Sequence, residues 1–261
     1  MTLPVPQTVA ESLWSRITAL LEEAVHTDRV NSFVFNGLLR DCDRLSKTDV
    51  IHASLYRGAL YSVVGKDEDA EYQFDNVEAN GEHFLASAWR MAFFSNRGYA
   101  KRVMAMADQV LNQRGSISFA ELMRPVASMG GFQAICRAVD AATQRQEVLV
   151  GMTNLLEKSR RACAVMNTLK ITDEDVSAAV DVAGEIIREQ RLVWKHQTPD
   201  IEAFDEDCDF RSLMLQFRLG VTPQKASELT FELIGRLVDR DLDRAGLSVC
   251  FLGEELESVE K

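Results

Sequence analysis

The spacing of apolar residues along the chain changes near residue 200. Between Thr8 and about His196, apolar positions recur every three or four residues, which is the period of an amphipathic helix. Polar residues mark several helix starts: Thr8 to Glu11 and Ser118 to Glu121 form capping boxes, and Thr172 precedes a further apolar run. We therefore expect seven or more short helices joined by short turns, arranged as a helical array.

Beyond residue 210 the pattern alternates. Arg211 to Leu219 is apolar at every second position, as in a strand, and Leu247 to Leu252 predicts a second strand. Between them, Thr222-Pro223 marks the start of a helix that continues to about Arg244. Strand, helix and strand make a small βαβ-like module. Because two strands alone are marginally stable in water, we expect the module to dock on the helices, to gain a third strand or to pair with another copy of the chain.

One short pattern occurs twice in the helical part. Residues 53–65 read ASLYRGALYSVVG, and residues 86–98 read ASAWRMAFFSNRG. Each stretch ends at a glycine and is followed by a second helix, roughly Glu68 to Ala79 in the first copy and Tyr99 to Asn112 in the second. A helix-turn-helix unit repeated at this period is typical of helical solenoids.

The stretch from Ile51 to Ala79 resembles a tetratricopeptide repeat. Small residues at the matching positions let two helices approach, and large ones fill the space between units: Gly58, Tyr61, Gly65, Ala70 and Phe74, then Phe94, Gly98, Val103, Ala107 and Val110 in the second copy. The resemblance covers roughly Thr48 to Asn112, and it departs from the family at Ser54, Arg57, Glu82 and Met91. It implies a solenoid architecture but no particular activity, because such repeats bind many kinds of partner.

If the repeat geometry carries over, the inner helices present a groove to a peptide. The candidate groove residues are His52, Leu55, Arg57, Ser62, Leu85, Arg90 and Ser95. The two arginines need an explanation, because the resembling family places leucine there and an unpaired buried guanidinium is costly. They form ion pairs with an acid of a neighbouring helix, such as Glu71, Asp75 or Asp108, or they form a basic ladder that holds a bound peptide.

These features predict a mainly α fold, in which a tetratricopeptide-like helical repeat array is followed by a small C-terminal α/β module. We place the helical repeat domain at residues 1–196, an acidic linker at 197–210 and the α/β module at 211–261. Residues 197–261 hold 15 acidic and 7 basic residues, and the whole chain has a net charge of -11. Most of the acidity therefore belongs to the C-terminal quarter.

Composition narrows the expected partners and compartment. A net charge of -11 argues against nucleic acid and anionic membranes, since both are bound by clustered Lys and Arg, whereas a basic protein partner is compatible. The five cysteines show no CxxC spacing and indicate reduced thiols rather than a disulfide framework. We see no signal peptide and no membrane-spanning apolar stretch, so we expect a cytoplasmic protein.

One acidic stretch is a candidate metal-binding motif. Asp205, Asp207 and Asp209 fit positions one, three and five of a calcium loop. Phe210 replaces the turn glycine of that loop, and Gln216 stands where the bidentate glutamate belongs. We therefore prefer a solvated acidic linker and keep a metal site as the alternative.

We expect an interaction protein that works without a cofactor. It would serve as an adaptor, scaffold, chaperone-like protein or inhibitor, and bind a protein or peptide through the helical groove, the acidic module or both. The alternative is an enzyme, metal-dependent or not, with His196 and the linker acids at the junction of helices and module. Association of copies through the C-terminal strands is the third expectation.

Overall fold

The computed structural model describes residues 8–113, 117–146, 153–194, 199–204 and 211–254. In these ranges it has eleven helices and three strands, which confirms a mainly helical fold with a small C-terminal α/β module. The chain divides into two compact units, residues 1–90 and 91–261, and the division falls inside the fifth helix. The first unit holds α1 (Val9–Glu23), α2 (Ser32–Leu45), α3 (Val50–Val63), α4 (Asp67–Ala79) and the first half of α5 (His83–Asn96).

Helix starts in the first unit follow the polar signals of the sequence. Thr8 and Glu11 form the predicted capping box of α1, and the side chain of Asn31 accepts hydrogen bonds from the first amides of α2. Asp49 caps α3 by accepting from the backbone N–H of His52. The apolar faces of these helices meet in a core that includes Ile17, Leu38, Leu60 and Phe74.

The second unit contains the rest of α5, six further helices and the strands. The helices are α6 (Ala100–Asn112), α7 (Phe119–Ser128), α8 (Phe132–Gln144), α9 (Thr153–Leu169), α10 (Asp173–Glu189) and α11 (Pro223–Asp239). A close backbone contact joins α10 to the turn before α6, because a Cβ atom on Gly184 would lie 1.9 Å from the carbonyl oxygen of Gly98. Both positions therefore require glycine.

The strands β1 (Asp200–Phe204), β2 (Ser212–Arg218) and β3 (Leu247–Leu252) form one sheet in that order. β2 pairs parallel with β3, and α11 connects them, so the predicted βαβ arrangement is confirmed. β1 pairs antiparallel with β2, with Ile201 opposite Leu215. The sheet packs on α9 and α10. The module thus follows two of the expected routes to stability: a third strand and docking on helices.

Two predicted boundaries in this module need correction. The range 197–210, predicted as a linker, contains β1, because Ile201 is buried and the backbone of this segment pairs with β2. The helix α11 ends at Asp239 rather than near Arg244. Asp241 adopts a left-handed conformation, and the N–H of Leu242 donates to the carbonyl of Leu237, which closes the helix as a C-terminal cap.

Candidate functional site

The two copies of the repeated motif form helix pairs of matching lengths. α3 and α5 are 14 residues long, α4 and α6 are 13, and a glycine with positive φ, Gly65 or Gly98, lies in the turn of each copy. In the first copy, a Cβ atom on Gly58 would lie 2.6 Å from a ring carbon of Phe74. The small position of α3 is therefore filled by the aromatic ring of α4.

The two arginines of the repeat are both bonded to acids of the helix that precedes them. Arg57 on α3 donates to Asp43 on α2 at 2.7 Å, and its side chain is 20% exposed. Arg90 on α5 donates to Asp75 at 2.6 Å and to Glu78 at 3.2 Å, both on α4, with 14% exposure. Asp75 was among the partners suggested by the sequence, whereas Asp43 was not. These contacts favour the ion-pair interpretation over a peptide-binding ladder.

The carboxylate of Glu78 lies between the side chains of an arginine and a histidine. Besides Arg90, the Nδ1 atom of His83 lies 3.5 Å from Glu78. The hydrogen bond from Arg90 is the main reason that the pKa of Glu78 is lowered, and the bond from His83 acts in the same direction. Arg90 is thus part of a four-residue cluster with Asp75, Glu78 and His83, while Arg57 has a single partner among the described contacts.

The other predicted groove residues do not form one exposed surface. Leu55, Ser62 and Ser95 are buried, so none of them can contact a ligand without repacking of its helix. His52 is exposed and Leu85 is partly exposed. The imidazole of His52 lies 2.7 Å from Asp49, and although burial opposes the shift, hydrogen bonds from His52 lower the pKa of Asp49.

The repeated aromatic position packs against other rings. Trp14 stacks on Tyr56 with ring centroids 5.3 Å apart and meets Trp89 edge-on at 5.0 Å. Tyr56 itself is buried. These rings from α1, α3 and α5 fill the space between helices, so Tyr56 and Trp89 have a packing role.

A different surface exposes apolar side chains. On α11, Phe231 is 75% exposed, Ile234 49% and Val238 56%, and their i, i+3, i+7 spacing puts them on one side of the helix. We call these three residues the α11 stripe. Gly235 lies beside it, and a Cβ atom there would meet nothing within 4 Å. Among the described residues, the stripe is therefore uncovered at this position.

The opposite side of α11 is already occupied. Leu229, Leu233 and Leu237 are buried in the unit, and Thr230 Oγ1 accepts a hydrogen bond from the N–H of Phe251 on β3. A helix that buries one leucine face needs no second apolar face for its own folding. The stripe has a signal in the sequence, because Phe231, Ile234 and Val238 recur at helical spacing on a second side of the predicted helix.

Three arginines of α11 and its following turn fix it to α10. The bonded pairs are Arg236 with Glu189, Arg240 with Glu185, and Arg244 with Asp175. Arg240 and Arg236 each bond both carboxylate oxygens of their partner, and these bonds are the main reason that the pKa values of Glu185 and Glu189 are lowered. Hence α11 is presented on a fixed support.

The remaining charge at this end of α11 is acidic. Asp239, Asp241 and Asp243 are exposed at the C-terminal end of the helix, next to Val238. The helix dipole adds partial negative charge at the same end. Since the nearby arginines are engaged with α10, the stripe ends in a negative region.

Other predicted chemistry lies outside the described residues. His196, Asp205, Asp207 and Asp209 all fall in ranges that the structure does not describe. In the ranges that it does describe, no group of three His, Cys, Asp or Glu side chains is placed to hold a metal ion. The described helices also include none with the length and apolar character needed to cross a membrane.

Comparison with protein-family profiles, with curated proteins and with solved structures finds no match for this chain. The resemblance to tetratricopeptide repeats therefore depends on the residues of the two copies. The two helix pairs match each other in length, and each has a glycine in the turn, between α3 and α4 and between α5 and α6. A function for this protein must therefore be inferred from its own surfaces.

Proposed function

We propose that this protein binds another protein, and that the α11 stripe is the centre of the binding surface. The observation that carries the proposal is the exposure of Phe231, Ile234 and Val238 on a helix whose other side is buried. Single exposed apolar residues are common on folded proteins and need no explanation. A contiguous apolar stripe on one helix is unfavourable in water unless something covers it, and such patches mark interaction sites.

The size of the stripe suits the middle of an interface. Its three side chains offer on the order of 300 Å² of apolar surface, within the range of functional patches on monomeric proteins. A stable complex buries about 800 Å² on each partner, so polar residues around the stripe must also take part. An apolar centre with a polar rim is the usual anatomy of a protein interface.

The charges around the stripe indicate the chemistry of the partner. The exposed acids Asp239, Asp241 and Asp243 lie at one end of the stripe. An amphipathic helix with apolar anchors and Lys or Arg near that end would satisfy both features. This proposal keeps the sequence-based expectation of a basic partner and, of the two expected surfaces, selects the C-terminal module rather than the repeat groove.

Matched aromatic substitutions test the proposal. The tagged full-length protein and its Phe231→Ser variant are expressed in the native host, cross-linked in cells and purified, and the co-purified proteins are quantified by mass spectrometry. Phe33→Ser is the control, because Phe33 is 79% exposed and lies on α2. Truncation of a hot-spot aromatic at the centre of an interface costs about 2 kcal/mol or more, so we expect the partner to fall by roughly tenfold or more with Phe231→Ser and to remain with Phe33→Ser.

Equal recovery of the same proteins by the wild type and both variants would show that α11 is not the binding face. Sedimentation of the purified proteins separates a foreign partner from a second copy. A wild-type dimer that dissociates in Phe231→Ser identifies the partner as another copy of the chain. A monomer throughout, with a partner lost only in Phe231→Ser, identifies a different protein.

A further inference from the structure

Two cysteine thiols lie side by side between α8 and α9. The Sγ atoms of Cys136 and Cys163 are 3.1 Å apart. The residues are far apart in sequence and are brought together by the packing of the two helices, so the missing CxxC spacing gave no sign of them. Cys163 is buried and Cys136 is partly exposed.

The partly exposed thiol is the more acidic of the two. A hydrogen bond from Cys163 lowers the pKa of Cys136 despite burial, and nearby Arg160 acts in the same direction. The same bond and burial raise the pKa of Cys163. Asp140 and Asp173 oppose the ionisation of Cys136. The geometry therefore separates an accessible nucleophile from a buried second thiol.

Other described cysteines differ in their surroundings. Cys42 is buried in the first unit, where desolvation raises the pKa of its thiol to about 11. The thiol of Cys250 on β3 meets the side chain of Gln216, and burial raises its pKa as well. Both thiols are expected to react slowly with disulfides, so both serve as internal controls for the reactivity of Cys136.

We propose that Cys136 and Cys163 form a redox-active dithiol site that closes to a disulfide by exchange with low-molecular-weight disulfides of the glutathione class. The Cys136 thiolate attacks one sulfur of the oxidant, forms a mixed disulfide and releases one thiolate. Cys163 then loses its proton to water and attacks the Cys136 sulfur, which releases the second thiolate. Two protein thiols are oxidised to one disulfide, and one small disulfide is reduced to two thiols.

Closure needs only a small movement. The sulfur atoms must approach from 3.1 Å to the bond length of about 2.05 Å, a shift within reach of side-chain rotation and slight helix adjustment. The bond would tie α8 to α9. The start of α8 is already fixed to α10, since the buried carboxylate of Asp173 accepts hydrogen bonds from the N–H groups of Gln133 and Ala134. Oxidation would thus add a covalent bond between α8 and α9 to the hydrogen bonds that already hold α8 on α10.

The test uses the full chain and glutathione buffers that range from reducing to oxidising, under anaerobic conditions. Intact mass and peptide mapping follow the products. We expect the wild type to lose two hydrogens and to show a peptide linked through Cys136 and Cys163. In Cys163→Ser we expect a stable mixed disulfide on Cys136, formed at least about tenfold faster than one on Cys250. Cys42→Ser and Cys250→Ser should form the wild-type disulfide at unchanged glutathione ratios.

A second measurement uses only the wild-type protein, so its result does not depend on whether the variants fold. Phenylarsine oxide binds two thiols that lie together, and mapping of the reduced wild type should place one arsenic across Cys136 and Cys163. If the linked peptide is absent at the most oxidising ratio, or the arsenic is found elsewhere, the dithiol site is wrong. The α11 stripe takes no part in this test, so either proposal can fail alone.

Discussion

At the scale of single residues, Arg57 and Arg90 show how a charged side chain is kept inside a helical repeat. Each replaces an apolar residue of the resembling family, and each places its guanidinium against carboxylates of the preceding helix. The acids are themselves well exposed, which lets water share the cost of desolvation. The arginines therefore need no ligand to be satisfied.

Arg90→Ala should lower the free energy of unfolding by about 1–3 kcal/mol, because it removes the hydrogen bonds from the guanidinium to Asp75 and Glu78 together with the packed stem of the arginine. Arg44→Ala is the control, since Arg44 forms an exposed pair with Asp41 that is worth about 0–1 kcal/mol. Urea unfolding followed by circular dichroism measures both. A stable Arg90→Ala variant that loses a bound partner would restore the peptide-binding interpretation.

Among the helices and strands, the helix starts were easier to predict from the sequence than the bounds of the C-terminal elements. Local side chains decide a start, as Thr8 and Ser118 show, because the capping oxygen and the amide that it accepts from are close in sequence. The end of α11 depends instead on Asp241, which adopts a left-handed backbone conformation. Most residue types avoid that conformation, so the sequence does not mark this position clearly.

Elements that depend on partners distant in sequence were missed. Ile201 is one apolar residue in an acidic stretch, and only pairing with β2 makes a strand of it. The contact of Cys136 with Cys163 and the salt bridges of α11 with α10 depend in the same way on helix packing. Leu55 and Ser62 are buried because other helices surround α3 on several sides. A helical period in the sequence shows that a helix forms, but not how many of its sides are covered.

The contact of α11 with α10 predicts a dependence on acid. Because Arg240 lowers the pKa of Glu185, the unfolded chain binds a proton more readily than the folded one. The pair therefore stabilises the fold above the ordinary glutamate pKa of 4.5 and loses that contribution as the pH falls through the lowered value. Glu185→Gln should cost about 1 kcal/mol near neutral pH and almost nothing below both values.

Chemical unfolding of Glu185→Gln across this pH range measures the difference directly. Glu157→Gln is the matched control, since Glu157 pairs with Arg161 on the exposed side of α9. That control should change stability by no more than about 0.5 kcal/mol at any pH. A Glu185→Gln penalty that persists in acid would mean that packing, rather than the charge pair, holds α11 on α10.

The net charge of -11 on the protein lowers the stability of the fold through repulsion and favours binding of a basic partner. Most ion pairs among the described residues involve exposed side chains, and each contributes only a small amount to the free energy of unfolding for salt to remove. Repulsion among the excess acids is summed over the chain and is weakened by counterions. Salt should therefore stabilise the free protein while it weakens attraction to a basic partner.

Raising the sodium chloride concentration from about 10 to 150 mM should increase the Tm by roughly 1–4 °C, because screening of the net charge outweighs screening of individual exposed pairs. Scanning calorimetry of the free protein measures this, and potassium chloride should give the same increase if ionic strength is the cause. Over the same range, recovery of the α11 partner should fall. A Tm that decreases with salt would show that the ion-pair network, rather than the excess acidity, dominates the electrostatics of the fold.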